Sequence, residues 1–110
     1  IFLGLVNRVL RDDGVFVMHG PNALSEAGTF EDLLVKLGEY YKIVMPSFFM
    51  QEGQSDSLVL ASKKYHPTAD LILQRGDLIE DLQYYNCDLH LASFAQPNFI
   101  KQRFYGAILN

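Results

Sequence analysis

His19, His66, His90 and Cys87 are the side chains best suited to hold a metal ion or attack a substrate. Their spacing favours neither use. No C-x-x-C, H-x-x-x-H or H-E-x-x-H pattern occurs, and such spacings are what bring two ligands to one side of a turn or helix, so no metal is expected. Cys87 and His90 are close enough for a thiol and a base on one helix face, yet nothing near them supplies an orienting third group or an oxyanion site. These residues favour a small buried thiol beside a helix-capping carboxylate. Asp12 with Asp13, and Glu80 with Asp81, fall where turns and exposed helix faces belong and read as solvated charges rather than acid/base pairs. Gly14 and Gly20 are not part of any G-x-G-x-x-G or G-x-x-x-x-G-K run, so no nucleotide site is expected within this segment.

The elements that must position these residues follow from apolar spacing. Phe2, Leu5, Val6, Val9 and Leu10 predict a helix over Ile1 to Leu10, and Asp12, Asp13 and Gly14 a turn. Val15 to Met18 is an unbroken β-favouring run, which predicts a strand covered on both faces and an αβ step of a parallel layered sheet. Ligands of such sheets gather beyond the carboxyl ends of the strands, where His19, Gly20, Pro21 and Asn22 stand. Thr29 can cap a second helix with Phe30, Leu33, Leu34 and Leu37 as its stripe and Gly38 as its stop. A strand from Tyr41 to Met45, ended by Pro46, and another from Leu58 to Ser62 enclose a predicted loop, Pro46 to Ser57, with Phe48, Phe49 and Met50 near its tip. Lys63 to Asp70 reads as a connector because Pro67 restricts His66. Leu78, Ile79 and Leu82 predict a helix from about Gln74 or Asp77 to Gln83. Asn86 or Asp88 caps a short one, and Pro97 opens the last.

With 110 residues, 49% of them hydrophobic, the chain suits one domain or part of one and can bury a core. The first residue is Ile, already within an apolar-periodic segment, so the chain is expected to be cut from something longer. A net charge of −4 with no basic cluster argues against a nucleic acid partner, and no apolar run is long enough for a membrane span. A single cysteine excludes an internal disulfide and suits a reducing compartment, so a soluble, cytoplasmic protein is expected.

The stretch Gln83 to Pro97, QYYNCDLHLASFAQP, taken with Ala61 to Pro67, ASKKYHP, resembles the carboxyl-terminal region of the spermidine synthases, or polyamine aminopropyltransferases. Their signature Y-Y-N-x-x-x-H-x-x-x-F-x-x-P is met by Tyr84, Tyr85, Asn86, His90, Phe94 and Pro97. The likeness extends back through Gly14 to Gly20 and through Met45 to Phe48, and so covers nearly all of the chain. It implies an α/β fold: the carboxyl-terminal half of a Rossmann-like, methyltransferase-type three-layer sheet with an antiparallel edge hairpin. It also implies that residues 1–110 belong to a catalytic domain whose donor-binding half and amino-terminal β-domain lie outside this sequence.

The implied reaction moves an aminopropyl group from decarboxylated S-adenosylmethionine to putrescine, in polyamine biosynthesis, without a metal or a resident cofactor. The catalytic aspartate and most of the donor site would lie upstream, leaving no catalytic residue in this segment and an inactive isolated chain. Two positions carry over to the acceptor pocket. His19 stands where glutamine is common, and Phe48 where tyrosine is common. Phe48 keeps an aromatic wall and lacks the hydroxyl. The tyrosines of the signature are expected in the core, with Asn86 and His90 satisfying backbone groups. A homo-oligomer is the implied assembly. The alternatives are another group transfer on a methyltransferase-like scaffold, or a noncatalytic module that presents Phe48, Phe49 and Met50 as an apolar knob.

Overall fold

The computed structural model describes residues 2–21, 26–51 and 54–110, with the side chains of 49–51 and 54–56 left aside. The elements are α1 (Phe2–Val9), β1 (Val15–His19), α2 (Ala27–Gly38), β2 (Ile43–Gln51), β3 (Gln54–Ser62), α3 (Leu73–Gly76), α4 (Cys87–Ser93) and α5 (Asn98–Arg103). The strands form one sheet in the order β1-β3-β2, with β3 antiparallel to both neighbours. β1 and β2 therefore run in the same direction, joined by α2 as a crossover, and β3 returns between them. This is the expected α/β sheet with its antiparallel hairpin.

Strand alternation divides the sheet into two faces. On the packed face, Phe16 from β1, Val44 and Phe48 from β2, and Val59 and Ala61 from β3 meet Phe30, Leu34 and Leu37 of α2 and Ile100 and Phe104 at α5. The Phe30 and Phe104 rings lie 5.0 Å apart and tilted, a favoured aromatic geometry. α1 joins the same face through Phe2 against Phe16 and through Leu3 and Leu10. Lys63, at the end of β3, donates to the carbonyls of Asn7 and Leu10 at 2.8 Å each, which satisfies carbonyl groups that the end of α1 leaves without helical partners. On the other face α4 packs against β2, and among the described residues cover thins from one edge to the other. In the row Met45, Leu60, Val17, exposure rises from 6% at Met45 to 49% at Val17.

Several expectations are corrected here. β1 is an edge strand with its open-face side chains Val15 and Val17 half-exposed, rather than a strand covered on both sides. Thr29 lies inside α2, which begins earlier, after Glu26. The stretch predicted as a loop from Pro46 to Ser57 is mostly strand, since the β2–β3 register runs on to Gln51 opposite Gln54. Glu52 and Gly53 lie outside the described residues, as do Asn22 to Ser25. Pro46 does not end β2, because its position faces the sheet's outer edge. Val44 exchanges bonds with Leu109 on that side, and two residues on the Pro46 carbonyl accepts from Gln96, so no ladder N–H is lost.

The predicted helix from Gln74 or Asp77 to Gln83 shrinks to the single turn of α3. Leu78, Ile79 and Leu82 stay exposed, and a short helix with no face to bury is marginal. α3 ends against α4, where a Cβ at Gly76 would fall 2.5 Å from the Cys87 sulfur. Pro97 takes the N-cap position of α5, one residue before the first helical position expected. Beyond α5 the chain turns through Gly106, which has a positive φ of 87°, and returns Leu109 to the edge of β2.

Candidate functional site

The carboxyl end of β1 carries the first site. His19 is the last strand residue and is exposed. The hairpin of β2 and β3 overhangs this end, because β1 stops opposite Leu58 while the hairpin register continues to Gln51 and Gln54. Ser57 ties the departing chain to the overhang. Its carbonyl accepts from the Gly20 N–H at 3.1 Å, and its hydroxyl donates to the Pro21 carbonyl at 3.1 Å. Gly20 passes so close to the core that a Cβ would meet Phe30 and Val59 at 3.2 Å. A cavity of about 750 Å³ opens here, lined by Met18, His19, Pro21, Glu26, Asp32 and Lys36 among others. Two carboxylates beside an imidazole and one ammonium can hold a positively charged amine. Glu26 and Asp32 were not singled out as site residues from the sequence. Only their proximity to the first turn of α2 hinted at them.

Phe48 stands at the same end of the sheet, one row beyond His19, with β3 between them. His19 pairs with Leu58, which also pairs with Ser47, whereas Phe48 pairs with Ser57. Residues directly opposite share a face, so His19 falls on the open face and Phe48 on the packed face. No single described cavity contains both. Phe48 packs against the core cluster, which does not suit an exposed apolar knob. Phe49 and Met50, the rest of that knob, have side chains outside the description.

The second site lies between α4 and the open face. Asn86 caps α4 as expected, its side-chain oxygen accepting from the Leu89 N–H at 2.8 Å. His90 makes two bonds. Its Nε2 lies 2.7 Å from the Pro67 carbonyl, and a carbonyl only accepts, so this nitrogen carries the proton. In the neutral ring Nδ1 must then accept from the Tyr85 hydroxyl at 2.8 Å. The imidazole thus pins the connector after β3 to α4, with Tyr85 edge-on to it and Phe94 on the other side.

Tyr84 and Tyr85 are not core, contrary to expectation. They are 55% and 37% exposed and wall an apolar groove of about 510 Å³ over Val17, Leu58 and Leu60. Partial burial, and to a lesser degree the nearby Cys87, push the Tyr85 phenol above its ordinary value.

Cys87 is buried, its sulfur 4.0 Å from the Leu73 carbonyl. Burial raises its thiol first, with the Asp77 hydrogen bond and the Asp77 and Asp88 charges adding to it. A raised thiol is a poor nucleophile, and both nitrogens of His90 are committed elsewhere, so the two form no catalytic pair. His66 is also structural: its Nδ1 accepts from the Thr68 and Ala69 N–H groups. Among the described residues no three His, Cys, Asp or Glu side chains gather as a metal site. No described helix is long and apolar enough to cross a membrane.

Parallel strands linked by a helical crossover, an antiparallel return strand between them and a cavity at the carboxyl end define a methyltransferase-like α/β segment. No family model matches the chain. It is 34% identical over 98 residues to a polyamine aminopropyltransferase of Helicobacter acinonychis (strain Sheeba), covering 88% of this chain and 37% of that protein. Against the polyamine aminopropyltransferase of Helicobacter pylori (strain G27) it is 30% identical over 100 residues, covering 90% and 38%. The crystal structure of spermidine synthase from Thermotoga maritima superposes with a TM-score of 0.84 at 28% identity, over 94% of this chain and 38% of that one. A spermidine synthase solved with the transition state analogue AdoDATO gives the same score. The chain corresponds to a carboxyl-terminal segment of the polyamine aminopropyltransferases, spanning 37–38% of the length of these relatives.

Proposed function

We propose that this chain is the carboxyl-terminal part of an enzyme that transfers an aminopropyl group from decarboxylated S-adenosylmethionine to putrescine. The observation that carries the reading is the agreement of fold and sequence over the same span: a TM-score of 0.84 across 94% of the chain, with Tyr84, Tyr85, Asn86, His90, Phe94 and Pro97 in the family's order.

In this reaction the amine nitrogen attacks the carbon bonded to the sulfonium sulfur. The C–N bond forms as the C–S bond breaks, the electron pair passes to sulfur to leave the thioether methylthioadenosine, and the amine proton is lost. An ammonium has no lone pair, so a carboxylate must help remove that proton, and holding the two reactants in line supplies much of the rest. The base, the donor site and the amino-terminal β-domain are proposed to lie in the remainder of the protein, with no resident cofactor. His19 and Phe48 are proposed to act at the acceptor end, His19 at the rim of the amine cavity and Phe48 supporting the overhanging hairpin from the packed face. The lone buried thiol suits a cytoplasmic enzyme, and the resemblance supports a homo-oligomer, which sedimentation of the intact protein tests.

A graft provides the test. The Helicobacter acinonychis enzyme, with its matching region replaced by this chain, should form spermidine. His19→Gln and Phe48→Tyr in the graft should alter KM for the amine more than kcat. A folded graft without aminopropyl transfer would overturn the reading. The relatives' names favour this reaction over another group transfer on the same scaffold.

A further inference from the structure

Two histidines hold the connector after β3, and a proton has a different consequence at each. His66 caps a single helical turn, residues 66–70. Its Nδ1 lies 3.1 Å from the Thr68 nitrogen and 3.0 Å from that of Ala69, with the Thr68 hydroxyl also at 3.1 Å. Asp70 completes the turn. Its N–H donates to the His66 carbonyl at 3.1 Å, and its carboxylate accepts from the His66 N–H at 2.6 Å. With Pro67 at the first helical position, this is a capping box in which an imidazole nitrogen takes the place usually held by a side-chain oxygen.

An imidazole can fill that place only while Nδ1 keeps its lone pair. The cap is intact when the ring is neutral with its hydrogen on Nε2, and a second proton must go to Nδ1, where it faces the N–H groups it displaces. The amide oxygen of Asn86, which caps α4, carries no such sensitivity. His90 also tolerates a second proton. Its Nε2 still donates to the Pro67 carbonyl, and the Tyr85 hydroxyl can turn to accept from Nδ1 instead of donating. The charged and titratable groups at the connector are therefore unequal. Asp70, within the turn, is an anion with which a released imidazolium can pair, Lys64 lies over the Tyr65 ring 5.2 Å from its centre, and His90 and Tyr85 approach from the side of α4.

We propose that His66 is a pH sensor for the groove wall: its protonation breaks the cap of the 66–70 turn, and the loss passes through Pro67 to His90 and Tyr85. The link is one residue long. Pro67 opens the capped turn, and its carbonyl is the acceptor that fixes His90, whose other nitrogen holds the Tyr85 hydroxyl beside the apolar groove. Histidine changes charge between about pH 5 and 8, so the cap is present at the alkaline end of that window and is lost as pH falls through it. None of these contacts depends on the aminopropyl reading.

The test is NMR of the chain across that window, from about pH 8 to about pH 5. Protection of the Thr68 and Ala69 amides, corrected for the pH dependence of free exchange, should fall about fivefold or more, while the Leu89 amide under the Asn86 cap keeps its protection. The Tyr85 ring signals should shift with the same midpoint. His66→Asn supplies an accepting oxygen that does not titrate, so it should keep the Thr68 and Ala69 amides protected at both ends of the window and abolish the Tyr85 shift. His90→Gln, which leaves the cap untouched, should retain the response of Thr68 and Ala69. A pH response unchanged in His66→Asn would overturn the proposal, as would Thr68 and Ala69 amides equally protected at both ends in the parent chain. If the whole chain unfolds in acid, Leu89 loses protection with the others, and the comparison is made at the lowest pH where Leu89 is still protected. Parent and His66→Asn alike at that pH would overturn the proposal too.

Discussion

The two faces of the sheet are built from similar apolar residues and end in different states. On the packed face, Phe30, Leu34, Val44, Val59 and Phe104 are wholly buried under helices from both ends of the chain. On the open face, Val17, Leu58 and Leu60 share a groove with α4 and the two tyrosines before it, and among the described residues cover fades towards β1. A valine in a strand favours extended backbone on either face. Whether it contributes to stability depends on what covers it, because the hydrophobic gain follows the area removed from water. One face thus holds the segment together while the other is only thinly covered by the described elements.

The difference is best broken at its strongest point. Phe30→Ala should cost about 3–5 kcal/mol in urea unfolding, because it removes a fully buried ring that packs on Phe104. Val17→Ala on the open face of the isolated chain should cost less than about 1 kcal/mol. Equal losses would mean that the open face is covered. Next in size, His90→Leu removes the bonds to the Pro67 carbonyl and the Tyr85 hydroxyl and should cost about 1–2 kcal/mol. It should also speed amide exchange in the connector after β3, since His90 is what holds that segment to the groove wall.

Asn86→Ala removes the α4 cap and should cost about 1 kcal/mol, with Asn86→Asp restoring most of it. The smallest effect is alkaline. Cys87 has a raised folded-state pKa, so its contribution to stability is fully present below the ordinary thiol value and is lost as pH rises through the raised one. Resistance to urea above about pH 9 should therefore fall in the parent chain and fall less in Cys87→Ala. An identical alkaline decline in both would remove the thiol as its cause.

Much of the local structure is legible in the residues. The stripe of Phe2, Leu5, Val6 and Val9 specifies α1, the run from Val15 begins β1, and Asn86 caps α4 as its side chain predicts. His19 sits at the strand end where its neighbours placed it, and the signature through Pro97 identified the family. What escaped is what other parts of the chain decide. Pro46 reads as a strand end, yet it is tolerated because its missing N–H faces an edge. Leu78, Ile79 and Leu82 have helical spacing but no surface to bury against. Tyr84 and Tyr85 look like core residues by type and instead wall a groove.

Backbone preference and capping chemistry act between residues close in sequence, so the sequence by itself determined the places of α1, β1 and α4 and, through the signature, which family the chain resembles. The insertion of β3 between β1 and β2, the opposite faces of His19 and Phe48 and the gathering of Glu26 and Asp32 beside His19 were decided only by the tertiary structure. Each depends on which distant surfaces cover one another, and burial is a property of the assembled chain rather than of any stretch of it.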